Sequence, residues 1–484
     1  MNEFQKKKIL INNFKDFQAQ IVPKPLGIEV VKAKGTYIYD KKKKYLDFVA
    51  GVSVCNLGHS DKRVIKATIN QLKKYSHVMV YGEFALEPSI NLCGLLVENL
   101  PKNLNSVYLT NSGTEAVEAA LKLCKRITGR SKIISSKNSY HGSTHGSLSV
   151  SGYEKRKRAY RPLLSNINYL NYNDSNLNLI DENTACVILE TIQGGAGFIL
   201  PKNNYLKKIK KRCNEVGALL ILDELQTGLG RTGKLFAFEH FGISPDILLL
   251  GKALGGGFPV GAMITKKSFM NKFQKNPILG HITTFGGHPV IAAAGFKSLS
   301  IILKERLSEK TLDKETLFRS LLKHPYIQEI RGKGLMIALI LKNEKLANQL
   351  VLKSLDNVNK NKLASVGWCF GGGWSYQVAK NNLDVKASII YYGRFNPEDD
   401  LSIMRANILG HFAEKDRGIK IDNVKEFQVK LNTLNGEHEI YIYPNTMHGF
   451  ASRPNENNNA FDKAASDEAW RRTIVFLEKT FSKY

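Results

Sequence analysis

Residues 218–263 read ALLILDELQTGLGRTGKLFAFEHFGISPDILLLGKALGGGFPVGAM, and this stretch limits the fold more than any other. Ala218 to Leu222 is a short continuous apolar run, the pattern of a strand buried on both faces. Asp223 follows, a carboxylate delivered to the carboxyl end of that strand, where open α/β sheets collect their ligands. A second apolar run, Ile247 to Leu250, leads into Gly251 and Lys252. A lysine there is either a solvated strand end or a nucleophilic amine. Lys252 is followed by Ala-Leu-Gly-Gly-Gly-Phe-Pro, a loop nearly bare of side chains that lets a bulky group approach the backbone.

An aspartate and a lysine at the ends of two buried strands are the pair that pyridoxal phosphate requires. The carboxylate keeps a pyridine nitrogen protonated, and the amine bonds the aldehyde carbon and shuttles a proton. Asp223-Glu224-Leu225-Gln226-Thr227-Gly228, then Gly230-Arg231-Thr232-Gly233 and Gly251-Lys252, resemble the class III aminotransferases.

More of the chain carries the same resemblance. Val54 to His59 is similar to the family's N-terminal signature, and a hairpin is expected before it over 35–48. Helical periodicity covers 61–76, 86–99 and 290–322. Val107 to Thr110 reads as a strand, and Ser112-Gly113-Thr114 opens a helix running to about Lys125. Such a turn is either an ordinary N-cap or a phosphate site, since it offers free N–H groups, hydroxyls and the positive dipole end. Further strands are expected at 133–135 and 185–190.

The resemblance implies a fold-type I domain, with a mostly parallel seven-stranded sheet and helices on both faces. It implies Lys252 as the Schiff-base lysine, Asp223 on the pyridine nitrogen, Tyr140 stacked on the ring beside His141, and Gln226 near the ring oxygen. Ser112, Gly113 and Thr114 would hold the phosphate, joined by Thr284 from a second subunit, so a homodimer is implied. The reaction would move an amino group from an amine or amino acid to a 2-oxo acid in two half-reactions. Two departures bear on substrate. Ser143 stands where acetylornithine-type enzymes have an arginine for the substrate carboxylate, and Gly195 stands where other members carry a gating glutamate.

After about residue 355 the pattern stops, before the second arginine that the family would place there. The sequence from Leu363 runs through Gly367-Trp368-Cys369-Phe370-Gly371, a strand, a tight turn and a helix. This is the nucleophile elbow of an α/β-hydrolase with cysteine for serine. A strand over 403–409 is followed by Asp416, and a strand over 439–443 by His448, in the chain order nucleophile, acid, histidine. The elbow, the acid loop, Met447-His448-Gly449-Phe450 and the helix bearing Trp470 resemble the dienelactone hydrolase family. That likeness implies Cys369 as nucleophile, Asp416 as orienting acid and His448 as base.

An elbow normally follows about half of its sheet. Nothing before residue 360 supplies those strands, so a partial α/β-hydrolase sheet is expected. The domains expected are 1–355, an aminotransferase with its small domain truncated, and 356–484, the C-terminal half of a hydrolase, joined near 345–360. Two other readings stay open: a Cys-His-Asp hydrolase, and an inactive fusion of two truncated enzymes.

The net charge of +27 invites a nucleic-acid reading. The basic runs are scattered, however, and no nucleic-acid motif accompanies them, so solvated lysines are expected instead. No run approaches the ~18 apolar residues that span a bilayer. The start MNEFQKKKIL lacks the apolar core of a secretory signal, and a cytoplasmic location is expected. The six cysteines form no C-x-x-C pair and imply no metal site. All but Cys369 are expected as reduced core thiols.

Overall fold

A computed structural model describes residues 10, 13–23, 25–41, 43–343, 363–381, 385–452 and 460–482. The chain divides into two compact units, Met1–Glu344 and Lys345–Tyr484. The join expected near 345–360 lies outside the described residues.

In the first unit, β1 (Lys32–Lys34), β2 (Tyr37–Tyr39) and β3 (Lys44–Leu46) form a small antiparallel meander. The main sheet comprises β4 (Ser106–Thr110), β5 (Lys132–Ser136), β6 (Ile167–Leu170), β7 (Thr184–Glu190), β8 (Leu219–Asp223), β9 (Ile247–Gly251) and β10 (Gly261–Thr265). Their order is β4-β10-β9-β8-β7-β5-β6. Only β10 runs antiparallel to its neighbours, so the sheet is mostly parallel and seven-stranded, as expected.

Every residue of β7, β8 and β9 is buried. Their side chains alternate between two cores. Val187, Leu189, Leu220, Leu222 and Leu248 face one core, with Ile209 and Cys213 of the helix Tyr205–Val216 and Ala292 and Leu299 of the helix Pro289–Lys304. Cys186, Ile188, Ile221, Ile247 and Leu249 face the other, against the helix Gly113–Thr128. Helices on both faces explain why the strands are continuous apolar runs rather than alternating ones. Each such large side chain contributes about 1.5–3 kcal/mol on burial.

The helix expected over 290–322 is two helices, Pro289–Lys304 and Leu307–Leu321. They part at Arg306, whose φ of 51° is left-handed and ends the α-helical path. The unit's last described strands, β11 (Ile327–Lys333) and β12 (Met336–Leu341), pair antiparallel.

The second unit holds a parallel sheet of β13 (Leu363–Trp368), β14 (Val385–Tyr391), β15 (Asn407–Ala413) and β16 (Glu439–Tyr443), ordered as in the chain. The helix Lys463–Phe481 closes one face through Ala469 and Phe476, while Val424 and Phe427 of the helix Ile421–Asn432 cover the other. β15 begins four residues later than the strand expected at 403. Met404 is buried instead by a turn, with its N–H donated to Leu401 O at 3.0 Å. His411, two residues past the end of the expected strand, lies inside the observed one with no exposed surface. Its ring nitrogens meet the Tyr443 hydroxyl at 2.9 Å and Thr473 Oγ1 at 3.0 Å. Among the described residues no helix is long and apolar enough to cross a membrane.

Candidate active site

Parallel pairing brings the carboxyl ends of β7, β8 and β9 together. Glu190 stands opposite Asp223, and Asp223 opposite Leu249, two residues before Gly251 ends its strand. Lys252 follows with φ 44°, a left-handed conformation that turns the chain sharply out of the sheet. The predicted aspartate and lysine therefore occupy neighbouring strand ends.

Asp223 is buried, and its two oxygens are separately held. Oδ2 lies 2.7 Å from His141 Nδ1, and Oδ1 accepts the Leu225 N–H at 3.0 Å. The other ring nitrogen of His141, Nε2, is buried without a hydrogen-bond partner among the described residues. Burial lowers the basicity of the Lys252 amine, against the pull of Asp223 and Glu190 towards the charged form.

Glu190 escaped the sequence analysis, which read it only as the end of a strand. It is buried, and its Oε2 accepts the Tyr140 N–H at 3.2 Å. Oε1 accepts those of Gly194 at 3.0 Å and Gly195 at 3.4 Å. Burial pushes its carboxyl up to about 7; His141 opposes the rise and Asp223 adds to it. Glu224 is likewise buried and raised to about 7, although Ala237 N, Thr191 Oγ1 and Phe238 N donate to it. It anchors the loop after β8. Gln226 reaches back to donate to Ser53 Oγ at 3.3 Å.

The turn Ser112-Gly113-Thr114 opens a helix, as its sequence suggested. Ser112 caps the helix Gly113–Thr128, accepting the Glu115 N–H at 3.4 Å. Thr114 Oγ1 meets Ser147 Oγ at 2.6 Å and Thr144 Oγ1 at 2.8 Å, so three hydroxyls gather beside the helix N-terminus. A Cβ at Gly113 would come within 2.5 Å of Leu225 Cδ2, so the leucine side chain would have to shift to admit one. Tyr140 is part exposed, with its hydroxyl 3.2 Å from Ser143 Oγ. Thr284 is exposed on the loop before the helix Pro289–Lys304.

The second unit brings its three predicted residues into one relay. His448 Nε2 is 3.1 Å from Cys369 Sγ, and His448 Nδ1 is 2.6 Å from Asp416 Oδ2. Asp416 Oδ1 accepts the N–H groups of Gly418 at 2.8 Å and Ile419 at 3.1 Å, which fixes the carboxylate. Cys369 has φ 53°, the strained elbow conformation expected of a nucleophile presented on a sharp turn. Gly372 permits that turn, since a Cβ there would lie 2.8 Å from both Gly393 Cα and the Tyr391 carbonyl oxygen. The relay opens onto a cavity of about 930 Å³ lined by Phe370, Trp374, Tyr392 and Met447. β13, which carries Cys369, lies at one end of its sheet among the described residues, with Val366 and Trp368 half exposed. Of the other thiols, Cys124, Cys186 and Cys213 are buried as expected. Cys93 is only half-buried, and so is Cys55, which touches His59 Nδ1 at 3.5 Å.

Comparison with known proteins covers both units. Residues 18–360 match the family model for Aminotransferase class-III, and residues 327–481 that of the Dienelactone hydrolase family. A LysW-aminoadipate semialdehyde/glutamate semialdehyde transaminase of Sulfurisphaera tokodaii is 40% identical over 320 residues, 65% of this chain and 81% of that protein. An acetylornithine aminotransferase of Bacillus cereus is 41% identical over 325 residues, 66% of this chain and 82% of that protein. Among solved structures, the ornithine aminotransferase of Toxoplasma gondii ME49 superposes with a TM-score of 0.66 at 30% identity. It covers 72% of this chain and 85% of its own.

Proposed function

Because the chain belongs to the class III aminotransferase family, whose members depend on pyridoxal phosphate, we propose that Lys252 and Asp223 are its reactive pair. We further propose that it moves an amino group from an amine or amino acid to a 2-oxo acid. The observation that carries this reading is the meeting of Asp223, fixed by His141, with the less basic Lys252 at adjacent strand ends.

The residues present suit the cofactor. Three hydroxyls and a helix N-terminus offer a phosphate cradle, and the buried Nε2 of His141 has a polar atom to spare. When bound, pyridoxal phosphate supplies an electron sink for the carbon that loses its proton. Asp223, held in one orientation by His141 Nδ1 and the Leu225 N–H, would keep a proton on the facing ring nitrogen. Lys252 Nζ, with its charged form disfavoured by burial, would take a proton from one carbon and return it to another. Tyr140 would cover the ring face, and Gln226, steadied by Ser53, would meet the ring oxygen. Ser112, Gly113 and Thr114 would bind the phosphate. Thr284, exposed on its loop, would complete that cradle in a second copy, making the working species a homodimer.

The test is the visible absorption of the purified chain with added pyridoxal phosphate, beside Lys252→Ala. A band in the wild type only, discharged by amino donors, supports the reading. A wild type without one overturns it. The same result bears on the domain boundary near 355, since it asks whether the first unit works without the segment that its relatives carry further on.

A second, less favoured reading rests on the relay of Cys369, His448 and Asp416, whose distances suit a thiol activated by a base. It is thiol-based hydrolysis of an activated ester. Turnover abolished by Cys369→Ala supports it, and turnover unchanged by that substitution discards it.

A further inference from the structure

Arg156 stands at the rim of the first unit's strand-end cluster. Its guanidinium carbon lies 5.5 Å from the centroid of the Tyr140 ring and 5.4 Å from that of Tyr153. Both rings are tied to the cluster. Glu190, opposite Asp223 in the sheet, accepts the Tyr140 N–H at 3.2 Å and the Gly195 N–H at 3.4 Å. The Tyr153 hydroxyl donates to the Gly195 carbonyl. Gly195 leaves room for this arrangement, because a Cβ there would lie 2.9 Å from Tyr153 Cε2.

The arginine is thus held by two aromatic faces, and among the described residues no carboxylate pairs with it. Nearby Glu154 is taken, with one oxygen 2.7 Å from Arg161 Nη2 and the other 3.9 Å from Lys157 Nζ. A guanidinium seated over ring faces makes no hydrogen bond to them and keeps its fork of donors free, and that fork matches the two oxygens of a carboxylate. Beside the Tyr140 ring, the side chain at 143 is a serine hydroxyl without charge.

We propose that Arg156 binds the carboxylate of the amino donor or of the 2-oxo acid at the rim of the Lys252 site. It is a specificity-determining residue that selects carboxylate-bearing substrates over plain amines. The inference rests on the assignment of that site to Lys252 and Asp223.

The full-length chain loaded with pyridoxal phosphate is titrated with glutarate, an unreactive dicarboxylate, by calorimetry, as wild type, Arg156→Ala and Arg156→Lys. Loss of a charge-assisted fork predicts affinity weakened about 10-fold or more in Arg156→Ala, with lysine intermediate. In the same proteins, the KM for 2-oxoglutarate rises by a similar factor while kcat moves little. The KM for n-pentylamine, which has no carboxylate, stays the same. Equal glutarate affinity in wild type and Arg156→Ala overturns the inference, as does a wild type that binds no glutarate. A normal Lys252-dependent band in Arg156→Ala shows that such a failure belongs to Arg156 alone. A wild type without the band brings down the site assignment and this inference together.

Discussion

Asp223 Oδ2 and His141 Nδ1 lie 2.7 Å apart, with both side chains almost wholly shielded from water. His141→Ala leaves a buried carboxylate with one neutral donor in place of two partners. The expected cost is about 1–3 kcal/mol. It is measured as a lower thermal unfolding midpoint without cofactor, together with weaker retention of pyridoxal phosphate. Asp223→Asn should keep the fold and lower kcat by about 100-fold or more, since it removes the charge proposed to hold the ring proton. An Asp223→Asn protein with wild-type kcat would remove Asp223 from the reaction.

Lys252 carries the second prediction. Burial lowers its pKa from the ordinary 10.5, so more of the neutral amine is present near neutral pH than at an exposed lysine. The rate at which the cofactor-free chain captures pyridoxal phosphate should therefore rise with pH along a curve whose midpoint lies below 10.5. Stopped-flow absorbance reads this directly. A midpoint at or above that of a free lysine side chain would show that the amine is not desolvated.

Much of this site was legible in the sequence because strand ends are local features. A run of five apolar residues followed by Asp223 needs no knowledge of its neighbours. Glu190 ends its run in the same way, yet its role depends on β7 lying beside β8 in a particular register, which periodicity does not encode. Arg156 was hidden for a different reason. Within Lys155 to Arg158 it looks like any solvated charge; Tyr153 is a local neighbour, but only the fold brings the Tyr140 ring beside it. His411 lies past the end of the strand read at 403–409. Gly410-His411 has the composition of a loop, while Tyr443 and Thr473, distant in sequence, supply the two partners that let an imidazole enter a buried strand. Burial also drives its pKa down to about 3.

The third prediction concerns pH. Burial lifts Glu190 from the ordinary 4.5 to about 7. Below 4.5 both folded and unfolded chains hold this proton, and the group costs nothing. Between 4.5 and about 7 the unfolded chain has lost the proton while the folded chain keeps it, so stability falls as pH rises; above about 7 the fall ends. The whole loss is on the order of 3 kcal/mol. Thermal midpoints of the cofactor-free chain from pH 4.5 to 8 should fall less steeply in Glu190→Gln than in wild type, whatever the offset between them. Parallel curves would place the proton elsewhere. Glu224 acts with the same sign.

The fourth prediction tests the relay without assuming a substrate. Cys369 is the one exposed thiol of six. Iodoacetamide should modify one equivalent quickly in the native protein, and Cys369→Ser should abolish that phase. His448→Ala should slow it about 10-fold or more by removing the base at 3.1 Å, an effect that an exposed but unassisted thiol would not show.

Cys369, Asp416 and His448 occupy a single uninterrupted span, the first and last of them 79 positions apart. In this arrangement the three groups of the relay travel as one piece of sequence. The relay therefore draws all three of its groups from the second unit, Lys345–Tyr484, and none from the first.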